Sequence, residues 1–100
     1  MSVVVVAHIR PLPEHLDAVR EAVLEILPAV HAEPGCELYA LHETDGVLVM
    51  VEKWASQEAL TTHMTAPALS GLGSKLAGKV GGAPEVEILV PLPAGTKGEL

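Results

Sequence analysis

One short stretch, VEKWASQEALTTHM at residues 51–64, brings together three side chains that are capable of chemistry. Glu52 lies two residues before Trp54, which is the only tryptophan, and His63 follows nine residues after it. Carboxylates and imidazoles are common general acids and bases, and an indole can shape an apolar binding site. The stretch is therefore either a small reaction site or the end of a strand that runs into an ordinary helix.

The structural alternative has a physical reason for each residue. A tryptophan at a strand end is commonly a core residue, and Glu52 can mark the point where the strand leaves the core. A histidine near a helix C-terminus complements the helix dipole. The other histidines are expected to be structural or surface residues, and no pair has the helical i,i+4 spacing or the cysteine neighbours of a metal site. The sequence predicts no metal site, and it contains no phosphate loop, GxSxG elbow or nucleotide fingerprint.

The elements that would position this stretch follow from hydrophobic periodicity. A β-branched run predicts a first strand, and apolar residues at three- and four-residue spacing predict a helix that begins near Pro13 and is kinked or divided at Pro28. Asp45-Gly46 is a strong signal for a two-residue hairpin turn. The predicted strands are 3–9, 36–43, 47–54 and 85–91, with two short helices after Ser56 and Pro67. This order predicts an α+β, ferredoxin-like βαββαβ domain with an antiparallel sheet over residues 1–92 and a C-terminal tail over 93–100, which is loose or embraces a partner.

The predicted hairpin assigns side chains to faces of the sheet. If Thr44 pairs with Val47, Tyr39 lies opposite Glu52, and both share a face with Met50 and Trp54. His42 then points to the other face. A carboxylate within an apolar strand face needs a partner or a task. Tyr39, Glu52 and Met50 are therefore candidate pocket residues.

Composition limits the classes of partner. The chain has 49% apolar residues but one Trp, one Tyr and no Phe, so its core must consist of Val, Leu and Ala, and a cavity is plausible. A net charge of −7 with only six scattered Lys and Arg argues against nucleic acid and anionic membranes. Cys36 is the single cysteine, so no internal disulfide can form. The N-terminal apolar run is too short for a membrane span, and a soluble, cytoplasmic protein is expected.

Two strands are apolar on both faces, although the helices of this fold can cover only one face of the sheet. The runs at 3–6 and 47–51 do not alternate as strands with a solvated face do. The chain has no spare element for the second face. A second copy of the same chain is the simplest cover, which predicts a homodimer.

The order of the segments HAEPGCELYALHE, VEKWASQEALTTHMTAPAL and EVEILVPL resembles the antibiotic biosynthesis monooxygenase family over about residues 3–92. The most specific pieces are EPGC at 33–36, E-x-W at 52–54 and EAL-x-x-H ending at His63. The resemblance implies a dimeric α/β barrel of ferredoxin-like subunits. It also implies oxidation of phenolic polyketides, anthrones or quinols by O2 without flavin, haem or metal. Trp54 matches the family's pocket tryptophan, and His63 matches its helix histidine.

One departure from the family concerns asparagine. The polyketide oxygenases and the haem-degrading branch both use an asparagine with the tryptophan, and this chain contains none. In the haem branch that residue lies on the first strand near Ala7 and His8, where His8 could donate a hydrogen bond instead. We therefore expect a cofactor-independent monooxygenase with O2 as co-substrate, in which Trp54 lines the pocket and orients a small aromatic substrate and His63 is the base or hydrogen bonder. The alternatives are a haem-binding or haem-degrading protein, which the missing asparagine disfavours, and a non-catalytic dimer that binds a small ligand.

Overall fold

Four antiparallel strands form one sheet in the computed structural model, which describes all residues from Met1 to Leu100. The strands are β1 (Val3–Ile9), β2 (Cys36–Thr44), β3 (Val47–Trp54) and β4 (Glu85–Leu89), in the order β2-β3-β1-β4. A 3-10 turn at Pro13–His15 leads into α1 (Leu16–His31), and α2 (Gln57–Met64) and α3 (Pro67–Leu76) connect β3 to β4. The ferredoxin-like α+β fold is therefore confirmed.

Helix α1 follows its apolar stripe but is not divided at Pro28. Val19, Val23 and Val30 are completely buried against the sheet. Pro28 lies inside the helix, which continues to His31. Proline has no N–H for the carbonyl of Leu24, but Leu24 is 47% exposed, so water can take that bond. The predicted division was wrong because the lost hydrogen bond lies on the solvent side of the helix.

The hairpin between β2 and β3 has the predicted turn and register. Asp45 and Gly46 have φ values of 48° and 76°, as a type I′ turn requires at both central positions. Thr44 pairs with Val47, and Tyr39 pairs with Glu52. The register shifts by one residue between Cys36 and Leu38, which leaves Cys36 opposite Trp54. The turn therefore determines which side chains of the two strands share a face.

The two faces of the sheet differ in burial. On the face beneath the helices, Leu48, Met50, Glu52 and Trp54 are all buried, whereas the residues that alternate with them along β3 are only half-buried. On the second face, the Lys53 ammonium donates a 2.7 Å hydrogen bond to a backbone oxygen of Leu100 in the C-terminal tail. The tail thus ends on its own sheet.

Strand β4 forms an exposed edge of the sheet. It ends at Leu89, two residues earlier than predicted, and every residue in it is exposed. Ile88 is 53% exposed and Val90, just beyond the strand, is 69% exposed. No helix is both long and apolar enough to span a membrane.

Candidate functional site

A cavity of about 550 Å³ lies between the helix-covered face of the sheet and α3 with the loop that follows it. This volume is in the range of small-molecule sites. Twenty residues line the cavity, and 15 of them are hydrophobic, including Met50. The polar side-chain groups of the lining come from Tyr39, Glu52 and His63, and neither lysine nor arginine contributes to it. The cavity is therefore an apolar space whose few polar side-chain groups are a phenol, a carboxyl group and an imidazole.

Helix α2 places His63 inside the protein. The hydroxyl of Ser56 caps the helix by accepting a 3.1 Å hydrogen bond from the Ala59 N–H. Leu60 and His63 are three residues apart, so they share the inward face, and they are 2% and 3% exposed. His63 is thus a buried side chain at the cavity wall, in the last turn of α2.

An aromatic cluster holds the His63 ring. The Trp54 ring stacks on it with centroids 4.5 Å apart, and the Tyr39 ring meets it edge-on at 5.3 Å. Trp54 is fully buried and is not part of the cavity lining, contrary to the expectation that it lines the pocket. Its indole N–H instead donates a 2.9 Å hydrogen bond to Glu52 Oε1, two residues earlier on the same strand face. Trp54 therefore contacts two cavity-lining residues, His63 and Glu52, without lining the cavity itself.

Glu33 is a member of this cluster that the sequence did not reveal. Its Oε1 lies 2.9 Å from His63 Nδ1, although the two residues are 30 positions apart. Glu33 opens a β-turn that is closed by a hydrogen bond from the Cys36 N–H to the Glu33 carbonyl, with Pro34 and Gly35 in the order that a type II turn prefers. Gly35 has φ of 82°, and its carbonyl accepts a 2.8 Å hydrogen bond from the Ala55 N–H. The only signal for Glu33 was its place in the EPGC segment, which carried part of the family resemblance and gave no role to its carboxylate.

Burial alters the ionisation of three side chains on β2 and β3. Burial, opposed by the Trp54 hydrogen bond, raises the pKa of the Glu52 carboxyl. Burial, together with the nearby charges of Glu52 and Glu33, raises the pKa of Tyr39 well above its ordinary value, so its hydroxyl remains a donor. Burial also raises the pKa of the Cys36 thiol, and Cys36 does not line the cavity. These shifts do not suit Cys36 to act as a nucleophile.

His8 lies apart from these residues. It pairs with Val49 on β3, and that register directs it to the face of the sheet away from the helices. It does not line the cavity. The structure therefore brings together Tyr39, Met50, Glu52, Trp54 and His63 of the predicted site residues, and it separates His8 from them because side chains alternate between faces along β1.

We expect Glu52→Gln to stabilise the protein above neutral pH. Because the pKa of Glu52 is raised in the folded state, its contribution to stability is greatest in acid and is lost as pH rises through that pKa. Glutamine still accepts the Trp54 bond and carries no charge, so the free energy of unfolding should rise by about 1–2 kcal/mol above neutral pH and change little in mild acid. Urea unfolding across pH measures this difference. The exposed Glu37→Gln is the control, and identical pH profiles for wild type and Glu52→Gln would contradict the expectation.

Comparisons with known proteins complete the description of the site. Residues 2–70 match the family model described as antibiotic biosynthesis monooxygenase. Rv0793 from Mycobacterium tuberculosis is similar at 28% identity and a TM-score of 0.87, over 96% of this chain and 100% of that chain. A Caulobacter crescentus protein provisionally assigned as an antibiotic biosynthesis monooxygenase is 28% identical with a TM-score of 0.82, over 88% and 87% of the two chains. PA3566 from Pseudomonas aeruginosa, 21% identical over 91% and 94% of the two chains, shares the fold with a TM-score of 0.84. No curated protein matches the chain.

Proposed function

The chain belongs to the antibiotic biosynthesis monooxygenase family, and on this premise we propose that it oxidises a small aromatic, phenolic or quinol-like molecule with O2 and without an organic cofactor or metal. The observation that supports this proposal most is a buried imidazole at the wall of an apolar cavity. His63 Nδ1 is bonded to Glu33, whereas Nε2 has no hydrogen-bond partner in the chain. Among the side-chain oxygens and nitrogens that lack a hydrogen-bond partner, only Glu33 Oε2 is fully buried. His63 Nε2 also lacks a partner, so it must be at least partly accessible.

In the proposed reaction, His63 Nε2 removes a proton from the substrate and leaves an electron-rich anion. The Tyr39 hydroxyl donates a hydrogen bond to an oxygen of the substrate. The anion supplies both electrons to O2, a C–O bond forms at a ring carbon that still carries a hydrogen, and the His63 imidazolium returns its proton to give a hydroperoxide. Loss of water then leaves a carbonyl, so one oxygen atom enters the product, the other leaves as water, and no external reductant is consumed. The apolar walls exclude bulk water from this intermediate.

Oxygen consumption with a panel of phenols, hydroquinones and anthrones tests the proposal. We expect turnover that stops when O2 is removed and that places one atom of ¹⁸O from ¹⁸O2 in the product. Addition of flavin or metal ions should not change the rate. Ligand binding without oxygen consumption for every compound would contradict the proposal and favour a non-catalytic binding protein.

The cavity fits haem poorly. Haem carries two propionates, and proteins pair such groups with basic side chains or hydrogen-bond donors. This lining contains no lysine or arginine and already includes Glu52. Haemin titration distinguishes the two functions, because a shifted Soret band that is lost in a His63 variant would support haem binding and overturn the cofactor-independent proposal.

We also propose that the protein is a homodimer. The face of the sheet away from the helices presents Val6, Val49 and Val51, which are only half-buried in the single chain. Covering this face would bury about 800 Å² per subunit, which is typical of a stable interface. Sedimentation at micromolar concentration should give twice the chain mass of 10.4 kDa, and a stable monomer would contradict the proposal.

A further inference from the structure

The contact between Glu33 and His63 joins two parts of the chain with separate structural supports. The turn that carries Glu33 is tied to the end of β3 through the bond between Ala55 and Gly35. Helix α2, which carries His63, packs against the same turn, since Gly35 lies directly beside Ala59, one helical turn before His63. The 2.9 Å distance from Glu33 Oε1 to His63 Nδ1 is therefore set by backbone elements on both sides.

The hydrogen-bond pattern of Glu33 does not match that of a group retained for stability alone. Its side chain is 15% exposed, and Oε2 is buried without any partner. A buried carboxylate oxygen with no hydrogen bond costs stability, and an apolar side chain of similar size would avoid that cost. The carboxylate makes one bond, and that bond goes to the nitrogen of His63 that faces away from the unpartnered Nε2.

The two nitrogens of an imidazole are coupled through the proton that they share. A carboxylate at Nδ1 favours the tautomer with hydrogen on Nδ1, which leaves Nε2 with a free lone pair. It also stabilises the imidazolium that forms when Nε2 accepts a proton. The other ionisable groups around the His63 ring are Tyr39 on β2 and Glu52 on β3, and neither is bonded to a ring nitrogen. Cys36 on β2 interacts instead with the charges of Glu33 and Glu52.

We propose that Glu33 is the positioning residue of the site, which holds His63 in the Nδ1–H tautomer so that Nε2 is available as the base at the cavity. The proposal rests on the function proposed above for His63. It assigns to Glu33 no contact with the substrate, because Glu33 does not line the cavity. It explains why a carboxylate occupies a buried turn position where only one of its oxygens is bonded.

Nitrogen-15 NMR of histidine-labelled protein tests the tautomer directly in the wild type. The signals of His63 are identified by their absence in His63→Gln. In the neutral imidazole we expect a protonated Nδ1 and a bare Nε2. A proton on Nε2 with a bare Nδ1 would overturn the proposal, and this measurement requires neither a substrate nor a folded Glu33 variant.

The kinetics of the Glu33→Gln variant provide a second test of the role of Glu33. Glutamine keeps the size of the side chain but removes the negative charge that stabilises the imidazolium, so kcat should fall by about 10- to 100-fold while KM changes little. Glu37→Gln removes a carboxylate from the exposed surface nearby and should keep wild-type kcat. If Glu33→Gln equals Glu37→Gln in kcat and keeps the wild-type tautomer, the proposal is overturned while the oxygenase function stands. If the wild type oxidises nothing, the proposed function fails, and the tautomer still decides the role of Glu33.

Discussion

Replacement of His63 by glutamine is expected to lower kcat for a phenolic or hydroquinone substrate by about 10²-fold or more, the low end of what a positioned base contributes. The loss should shrink as pH rises towards the pKa of the substrate itself, because hydroxide then removes the proton. KM should change little, since the apolar lining that holds the ring of the substrate is intact. Steady-state rates of oxygen consumption across pH measure both effects.

The controls for His63→Gln follow from its burial. Glutamine can donate its amide N–H to Glu33, so the variant does not leave that carboxylate without its partner. Thermal unfolding should still be compared with wild type, because His63 is packed between two aromatic rings. His42→Gln is the matched substitution at an exposed histidine and should retain full activity. A folded His63→Gln with wild-type kcat at every pH would leave His63 as a structural residue only.

Gly35→Ala is expected to have the largest effect on stability. Gly35 has φ of 82°, which costs an alanine about 1–2 kcal/mol. A Cβ there would also lie 2.6 Å from the Cβ of Ala59 on α2, and relief of that overlap requires the turn and the helix to separate, at a further cost of about 1–3 kcal/mol. The sum is about 2–5 kcal/mol, measurable by urea unfolding. The same separation would lengthen the contact between Glu33 and His63, so activity should fall with stability.

Two variants separate backbone strain from steric overlap. Gly46 has a similar φ of 76°, but no atom lies within 4 Å of its added Cβ, so Gly46→Ala should cost about 1–2 kcal/mol. The double variant Gly35→Ala with Ala59→Gly removes the overlapping methyl of α2. It should regain part of the lost stability, less about 1 kcal/mol for glycine in a helix. Equal losses for Gly35→Ala and Gly46→Ala would show that the contact with α2 is not tight.

The sequence predicted those features that depend on local rules. Asp45-Gly46 has one favoured hairpin geometry, and that geometry determined the pairing of Tyr39 with Glu52 farther along the two strands. The alternation of side chains then placed Met50, Glu52 and Trp54 on one face correctly. Local patterns of this kind need no knowledge of distant contacts, and the element order that they define was sufficient for the ferredoxin-like fold.

Features that depend on tertiary packing could not be predicted. No periodicity links Glu33 to His63, because their contact depends on how a turn meets a helix after folding. The burial of the Trp54 ring beneath the His63 ring also follows from the packing of α2 on β3 and not from strand alternation. We predicted that His8 lies near the pocket because it could replace the asparagine of the haem-degrading branch. Strand alternation instead directs His8 to the other face of the sheet.

The lining of the cavity divides along the chain. Tyr39, Glu52 and His63, which supply its polar groups, all lie within the segment at 2–70 that matches the family. Beyond residue 70 the lining consists only of apolar residues, glycines and a proline, from Leu72 to Val86. The stretch beyond residue 70 therefore contributes to the shape of the cavity and to none of its polar side-chain groups. Mutations in that stretch can change the shape of the cavity while Tyr39, Glu52 and His63 stay in place, so under the proposed function the preferred substrate can change while the chemistry is kept.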